Sequence, residues 1–254
     1  MPQMKLPILL DTPDLVAVDK PAGLAAIPGR GESDSVLERL AAQLGLPCSG
    51  GDDPRLRVVH RLDKDTSGVM LFARNVQSQR ALSHLFQNNR VEKQYLAIVA
   101  GAPPEEEGMV DAPIGVHPTD RTRMAVLKRG GRPAVTGWRA ERRFRRFALL
   151  RCFPKTGKTH QIRVHLAHLG HPLAVDPLYN APREPDAPPP GLYLSHIKRG
   201  YRPKRGEEER PLIARLTLHA ERLIFEHPAG QRVEVVAALP KDFRAAVNQL
   251  SKLG

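Results

Sequence analysis

The sequence predicts an α+β fold, a mixed and mainly antiparallel sheet with flanking helices, in a single domain spanning residues 1–254. Three observations carry this. Short apolar runs bounded by Gly, Pro, Asn and Asp recur from one end of the chain to the other, as strands do. They follow no regular strand-helix-strand rhythm and no internal repeat, which sets aside a doubly wound sheet or a solenoid. Hydrophobic residues make up 41% and charged residues 26% of the 254, which are globular proportions. A chain of this length buries about three quarters of its unfolded surface.

The elements follow in order. Residues 8–18, ILLDTPDLVAV, give two short strands around an Asp-Thr-Pro-Asp turn, with the Lys20-Pro21-Ala22-Gly23 loop behind them. Residues 35–44 form a helix, because Val36, Leu37, Leu40 and Leu44 recur at helical spacing. Beyond a Gly/Asp/Pro-rich loop, RLRVVH and GVMLFARN read as strands, so the HRLDKDTSG between them is a loop fixed at both ends. Asn75 caps a helix carrying Leu82, Leu85 and Phe86. The run from Tyr95 to Val99 is apolar on both faces, as a central strand is. Thr159 caps a helix reaching about Leu169, with Gly170 as its stop. On that helix Ile162, Leu166 and Leu169 share one face. His160, Arg163 and Ala167 share another, more than 90° away at about 100° per residue, which turns Arg163 off the core stripe. A surface salt bridge satisfies that placement as well as a functional site does. Residues 181–210, proline-rich and then dense in both charges, read as an exposed excursion. Strand character resumes at 216–240, with Pro228-Ala229-Gly230 turning a hairpin.

Charge narrows the class of partner. The chain has 39 Lys and Arg against 27 Asp and Glu, a net charge of +12. Eleven cations, ten of them arginine, against Glu141 alone place +10 of local charge within residues 121–151. A polyanion is the first hypothesis, a solvated basic surface its rival. No stretch approaches the roughly 18 apolar residues of a membrane span, and the apolar run at 6–10 is shorter than a secretory core. Cys48 and Cys152 lie far apart, which gives neither a disulfide framework nor a thiolate zinc site. A reducing cytoplasm fits.

HRLDKDTSG gathers two carboxylates, two further cations and a histidine into nine residues. Taken alone, Asp63 reads as a turn-capping carboxylate and Tyr95 as a core tyrosine. The segment VVHRLDKDTSGVMLFARN, however, resembles the signature of the RluA family of pseudouridine synthases, HRLDxxTSG between two strands. VAVDKPAGL near the start, KQYLAIVAG at 93–101, TGKTHQIRVHLAHLGHPLAVDPLYN at 156–180 and LTLHAERLIFEHP at 216–228 extend the resemblance along nearly the whole chain.

The resemblance implies the pseudouridine synthase fold with a central active-site cleft, and isomerisation of uridine to pseudouridine in structured RNA without a cofactor or metal. It makes Asp63 the essential aspartate, attacking C1′ of the sugar or C6 of the base, or stabilising an oxocarbenium-like centre. Tyr95 aligns with the family's active-site tyrosine, as base or stacking residue, and Arg163 with its arginine, expected to pair with Asp63. A stacked uridine must be extruded before chemistry, and Arg61 is the candidate to fill the vacated space or hold a phosphate. His60 and Thr66 in the same motif, and Lys158, His160 and Gln161 near the start of the arginine helix, complete the RNA- or substrate-binding set. His160, His165, His168 and His171 suggest a metal to a motif reader, but no cysteine or carboxylate completes a zinc set. Lys20-Pro21 belongs to packing beside the active-site loop.

Some positions depart from the family. Lys158 stands where an arginine is usual, Val175 where glycine precedes the aspartate of GDxxYG, and Asn180 at that segment's last glycine, which leaves the loop's shape in question. No room remains for the small RNA-binding domain that often precedes this one, a tilt towards a small target such as a tRNA arm over large-subunit ribosomal RNA. The expectation is a cytoplasmic monomer acting on RNA, with no obligate protein partner. A catalytically silent RNA-folding factor of the same fold is the alternative.

Overall fold

Apolar runs become strands largely where the sequence places them. The structure, a computed structural model, describes residues 5–29, 34–50, 53–181, 191–202, 207–227 and 229–253. In chain order the elements are β1 (Ile8–Asp11), β2 (Leu15–Lys20), α1 (Val36–Leu44), β3 (Arg57–Val58), β4 (Ser67–Ala73), α2 (Val76–Gln87), β5 (Glu92–Ala100), β6 (Glu107–Asp111), β7 (Ile114–Val116), β8 (Met124–Val126), β9 (Val135–Arg143), β10 (Phe147–Pro154), α3 (Gln161–His168), α4 (Leu194–Ile197), β11 (Leu218–Glu226), β12 (Arg232–Val236) and α5 (Lys241–Leu253). They divide into two units, the first comprising the chain up to Gln94 with His219–Ala238, the second Tyr95–Leu218 with the residues from Leu239 on.

In the first unit β4 is the hub. It pairs antiparallel with β2 and β3 and parallel with β11, while β1 extends β2 and β12 extends β11, both antiparallel. The sheet is therefore mixed and mainly antiparallel, as expected. All seven residues of β4 are buried. Alternation sends Val69, Leu71 and Ala73 to the face that packs with Leu82 of α2, Leu223 and Phe225. Full burial of a side chain such as Leu71 contributes about 1.5–3 kcal/mol. Ser35 caps α1 and Asn75 caps α2, each accepting a backbone N–H from three residues on. Gly68 is where β4 meets β11: its φ is +117°, and a Cβ there would lie 2.1 Å from the carbonyl oxygen of Ala220. Only glycine fits that approach.

The second unit is an antiparallel sheet, β5-β10-β9-β6, with helices on both faces. Ala97 and Val99 of β5 pack with Trp138, Leu150, Ile162 and Leu166, the last two from α3. Leu96 and Ile98 turn to the opposite face, onto Leu192, Ile197, Phe243 and Leu250. β7 and β8 pair with each other, Ile114 also bridges to Arg132, and Ile114, Met124 and Val126 pack with Val164 of α3 and Tyr179. No helix among the described residues is long and apolar enough to cross a membrane.

Three readings need correction. The chain does not end in strands but in α5, whose Phe243, Ala246, Val247 and Leu250 are buried at helical spacing. Thr159 does not cap α3: the helix begins at Gln161, and His160 occupies the cap position in the left-handed region, φ 54°, without a side-chain cap bond. The excursion at 181–210 is not wholly exposed, because Leu192, Tyr193 and Ile197 are buried core residues. The rest of that reading falls partly on 182–190 and 203–206, outside the described residues.

Candidate active site

The HRLDKDTSG loop is held from both ends within the first unit. On its N-terminal side the ring of His60 stacks on Phe86, centroids 4.5 Å apart, and its Nε2 accepts the N–H of Leu71 at 2.9 Å. Leu62 is buried. On the other side Lys20, wholly buried, donates from Nζ to the carbonyls of Pro21, Lys64 and Thr66 at 2.9, 2.6 and 2.8 Å. Gly23 N–H adds a bond to the Lys64 carbonyl, and Thr66 N–H closes the turn on the carbonyl of Asp63. Asp63, half-buried, therefore sits at a bend whose backbone is fixed on either side. A buried ammonium needs its donors satisfied, and these carbonyls do so.

Two residues of this loop change their standing. His60 spends its Nε2 on the Leu71 backbone and a ring face on Phe86, which gives it a supporting part in the loop. Thr66 is buried, and its hydroxyl has no hydrogen-bond partner among the described residues. Arg61 is exposed and makes no side-chain ion pair or hydrogen bond among them, so nothing in the loop gives it a structural task.

Burial, with a smaller contribution from nearby Lys93, holds the His60 imidazole down to about 3. The ring is thus neutral in the folded protein at neutral pH, and on acidification the unfolded chain takes the proton first. Its contribution is complete above the ordinary value near 6.5 and is lost as pH falls from there towards 3, at up to about 1.4 kcal/mol per pH unit. Denaturant unfolding between pH 7.5 and 5 should show this slope for the wild type. A His60→Phe variant, less stable at pH 7.5 because Leu71 loses its acceptor, should show a flatter one; parallel slopes would remove His60 from the acid response.

In the second unit, α3 carries Arg163 into a buried setting. Its Nε and Nη2 donate to the two oxygens of Asp176 at 2.8 and 2.7 Å, and neither side chain is exposed by more than 6%. Asp176 Oδ1 also accepts the N–H groups of Leu178 and Tyr179. The Tyr179 ring lies with its centroid 5.1 Å from the Arg163 guanidinium carbon, and its hydroxyl bonds His160 Nδ1 at 2.9 Å. Asn180 closes the loop by donating from Nδ2 to the carbonyls of Leu173 and Ala174. The departures at Val175 and Asn180 thus leave an ordered loop. Arg163 lies off the apolar stripe as expected, but in a buried fork, which excludes the surface salt bridge.

Gln161 is not available to a uracil edge. Its Oε1 accepts from Thr156 Oγ1 and Lys158 N, and its Nε2 donates to Val135 O and Thr136 Oγ1, so all four capacities are spent at the start of α3. His160 is half-buried against Tyr179, and Lys158 is half-buried. Tyr95 stands opposite Cys152 in β10 and packs, half-buried, against the core on the α3 side. Cys152 itself is an inert thiol, pushed up to about 12 by burial.

The basic stretch separates into paired and unpaired cations. Glu141 bridges Arg139 and Arg151, and Arg143 engages Glu106 and the carbonyls of Pro103, Pro104 and Glu105. Arg121, Lys128, Arg129 and Arg132 around the β7–β8 hairpin, and Arg145 and Arg146 at the β9–β10 turn, are exposed with no ion pair among the described residues. Such a surface suits a polyphosphate.

The family model described as RNA pseudouridylate synthase matches residues 14–168. The chain belongs to the pseudouridine synthase family. The synthase is 39% identical over 249 residues to ribosomal large subunit pseudouridine synthase D of Nitrosomonas europaea, covering 98% of this chain and 66% of that one. It is 41% identical over 246 residues to the protein of that name from Xanthomonas campestris, covering 96% and 69%. The chain thus spans about two thirds of the length of these relatives. The solved structure of human RNA pseudouridylate synthase domain containing 4 is 30% identical with a TM-score of 0.72, covering 96% of this chain and 93% of that one. The α+β pseudouridine synthase fold is therefore this synthase's fold.

Sequence reasoning named Asp63, Tyr95 and Arg163 as candidates and put Lys20 beside the active-site loop, but gave Asp176 no role. Lys20 grips the carbonyls just past Asp63, and Asp176 orients Arg163. The aspartate of the GDxxYG-like segment was visible in the sequence, but its partner was not. Among the four histidines of 160–171, His165 has both ring nitrogens engaged, by Thr136 Oγ1 and the Ala112 carbonyl. No group of three potential metal ligands occurs among the described residues.

Proposed function

We propose that this synthase isomerises uridine to pseudouridine in large-subunit ribosomal RNA, in the cytoplasm, with Asp63 as the essential carboxylate. The reaction is redox-neutral: the N1–C1′ bond breaks, a C5–C1′ bond forms, C5 gives up a proton and N1 gains one. Asp63 contributes an ionised oxygen to the carbon that becomes electron-poor, by bonding to C1′ or C6 or by stabilising the oxocarbenium centre. Tyr95 acts as base towards a sugar proton or stacks on the uracil. Arg163, held in plane by Asp176, supplies fixed positive charge for the carboxylate. Arg61, exposed on the Asp63 loop, enters the stack or holds a phosphate when the uridine flips.

The observation that carries the RNA target is the identity of 39–41% over nearly the whole chain with synthases named for the large ribosomal subunit. It outweighs the tilt towards a tRNA arm. The test is carbodiimide-dependent primer extension on total RNA from a strain lacking the protein, with and without the gene restored. A stop in large-subunit RNA that returns with the gene is expected. A stop returning only in tRNA would move the target, and no returning stop anywhere would favour the silent RNA-folding factor.

A further inference from the structure

The β7–β8 hairpin cannot hold its own position. Its two strands have three residues each and, among the described residues, pair with each other and, through Ile114, with Arg132 alone, and so small a β-structure is marginal in water without packing. What it docks on therefore decides where its cations point. Four of them, Arg121, Lys128, Arg129 and Arg132, face solvent without ion pairs among the described residues.

Val164 of α3 packs against the hairpin, and Tyr179 is its hydrogen-bonded docking point. Its hydroxyl accepts the N–H of Met124, the first residue of β8, at 2.9 Å. Beside that bond, Arg123 donates from Nη1 to the carbonyl of Leu178 at 3.2 Å, and its guanidinium carbon lies 5.9 Å from the Tyr179 ring centroid. The same ring lies 5.1 Å from Arg163, and its backbone N–H is held by the carboxylate that forks Arg163. One side chain thus touches the basic hairpin at two consecutive residues, the α3 cap residue His160, and Arg163. A phenylalanine would fill the space equally well, so the hydroxyl is there for its bonds.

We propose that Tyr179 is a positioning residue that sets the basic hairpin in register with Arg163, so that RNA phosphates gripped by the hairpin bring the target uridine to that arginine. The inference rests on the function proposed above, and it assigns to the hairpin one ligand chemistry, the phosphate backbone of RNA. Tyr179→Phe keeps the ring and both arginine contacts and removes only the hydroxyl. Tyr179→Leu removes the ring as well.

Steady-state kinetics on an in vitro transcript of large-subunit ribosomal RNA test it. Tyr179→Phe should raise KM about tenfold with kcat within twofold, whereas Tyr179→Leu should lower kcat at least tenfold in addition. The discriminating arm is a double-mutant cycle with Lys128→Ala/Arg129→Ala. If the hydroxyl acts through the hairpin's cations, adding Tyr179→Phe to that background raises KM by less than twofold more. Unchanged KM in Tyr179→Phe, or effects that multiply independently in the cycle, would overturn the proposal. Should Tyr179→Leu not fold, the Phe variant and the cycle decide alone. If the wild type converts no uridine, the proposed function fails, and the same cycle read in Kd for the transcript still tests the coupling.

Discussion

Asp63→Asn protein is expected to bind large-subunit ribosomal RNA as the wild type does and to form pseudouridine at least about 10³-fold more slowly, the scale on which a charge-stabilising group at a reacting centre acts. Asparagine preserves size and shape and removes the charge. Each route open to the carboxylate, attack at C1′, attack at C6 or stabilisation of an oxocarbenium centre, needs an ionised oxygen, so the substitution does not have to distinguish them. The loop should persist in the variant, because its fixtures are backbone: the Asp63 carbonyl accepting Thr66 N–H, and the Lys64 and Thr66 carbonyls gripped by Lys20. A half-exposed side chain changed this conservatively shifts stability by about 0.5 kcal/mol or less, roughly 2 °C in Tm. Tritium release from RNA labelled at uridine C5, together with filter binding, measures both quantities. Product at a wild-type rate would take Asp63 out of the chemistry, and a large fall in Tm would make it a structural residue.

The elements that were legible in the sequence are those set by local patterning. β4 reads as a strand because seven consecutive residues can all be buried, and α1 and α2 start where Ser35 and Asn75 offer a side-chain oxygen to the first turn. α5 carried an equally plain signal in Phe243, Ala246, Val247 and Leu250, and a reading that stopped at the last strand missed it. The start of α3 was not legible. A histidine with φ 54° is sustained by the contacts of Gln161 with Val135 and Thr136, 26 and 25 residues away, and no local propensity encodes it. Long-range partners also decided which candidate residues were available. Gln161 and His60 look like free side chains until the groups that engage them are in place. Arg163 looks like a surface cation until Asp176, 13 residues on, comes alongside. Asp63, Tyr95 and Arg163 were named from motif resemblance, and periodicity contributed only the placement of Arg163 off the apolar stripe.

Asp176→Ala should be the most destabilising single change near the arginine. Removing one partner of a buried ion pair leaves the other charge desolvated and unpaired, which costs about 3–5 kcal/mol. For a chain of this size that is roughly 10 °C of Tm. Here the loss is compounded, since Asp176 also accepts two backbone N–H groups that would have no other acceptor from that side chain. Stability alone does not account for the pair. A well-packed apolar pair of the same volume is commonly as stable as a buried fork or more so. A buried fork does fix the plane of a guanidinium, as the role proposed for Arg163 requires. Thermal unfolding and turnover of three proteins separate the two roles: Asp176→Ala, Asp176→Leu, and Asp176→Leu combined with Arg163→Met. The double variant should recover most of the Tm lost by Asp176→Leu while remaining at least about 10²-fold below wild-type turnover at a temperature where all are folded. Recovery of turnover along with Tm would make the fork a structural device and remove Arg163 from the reaction.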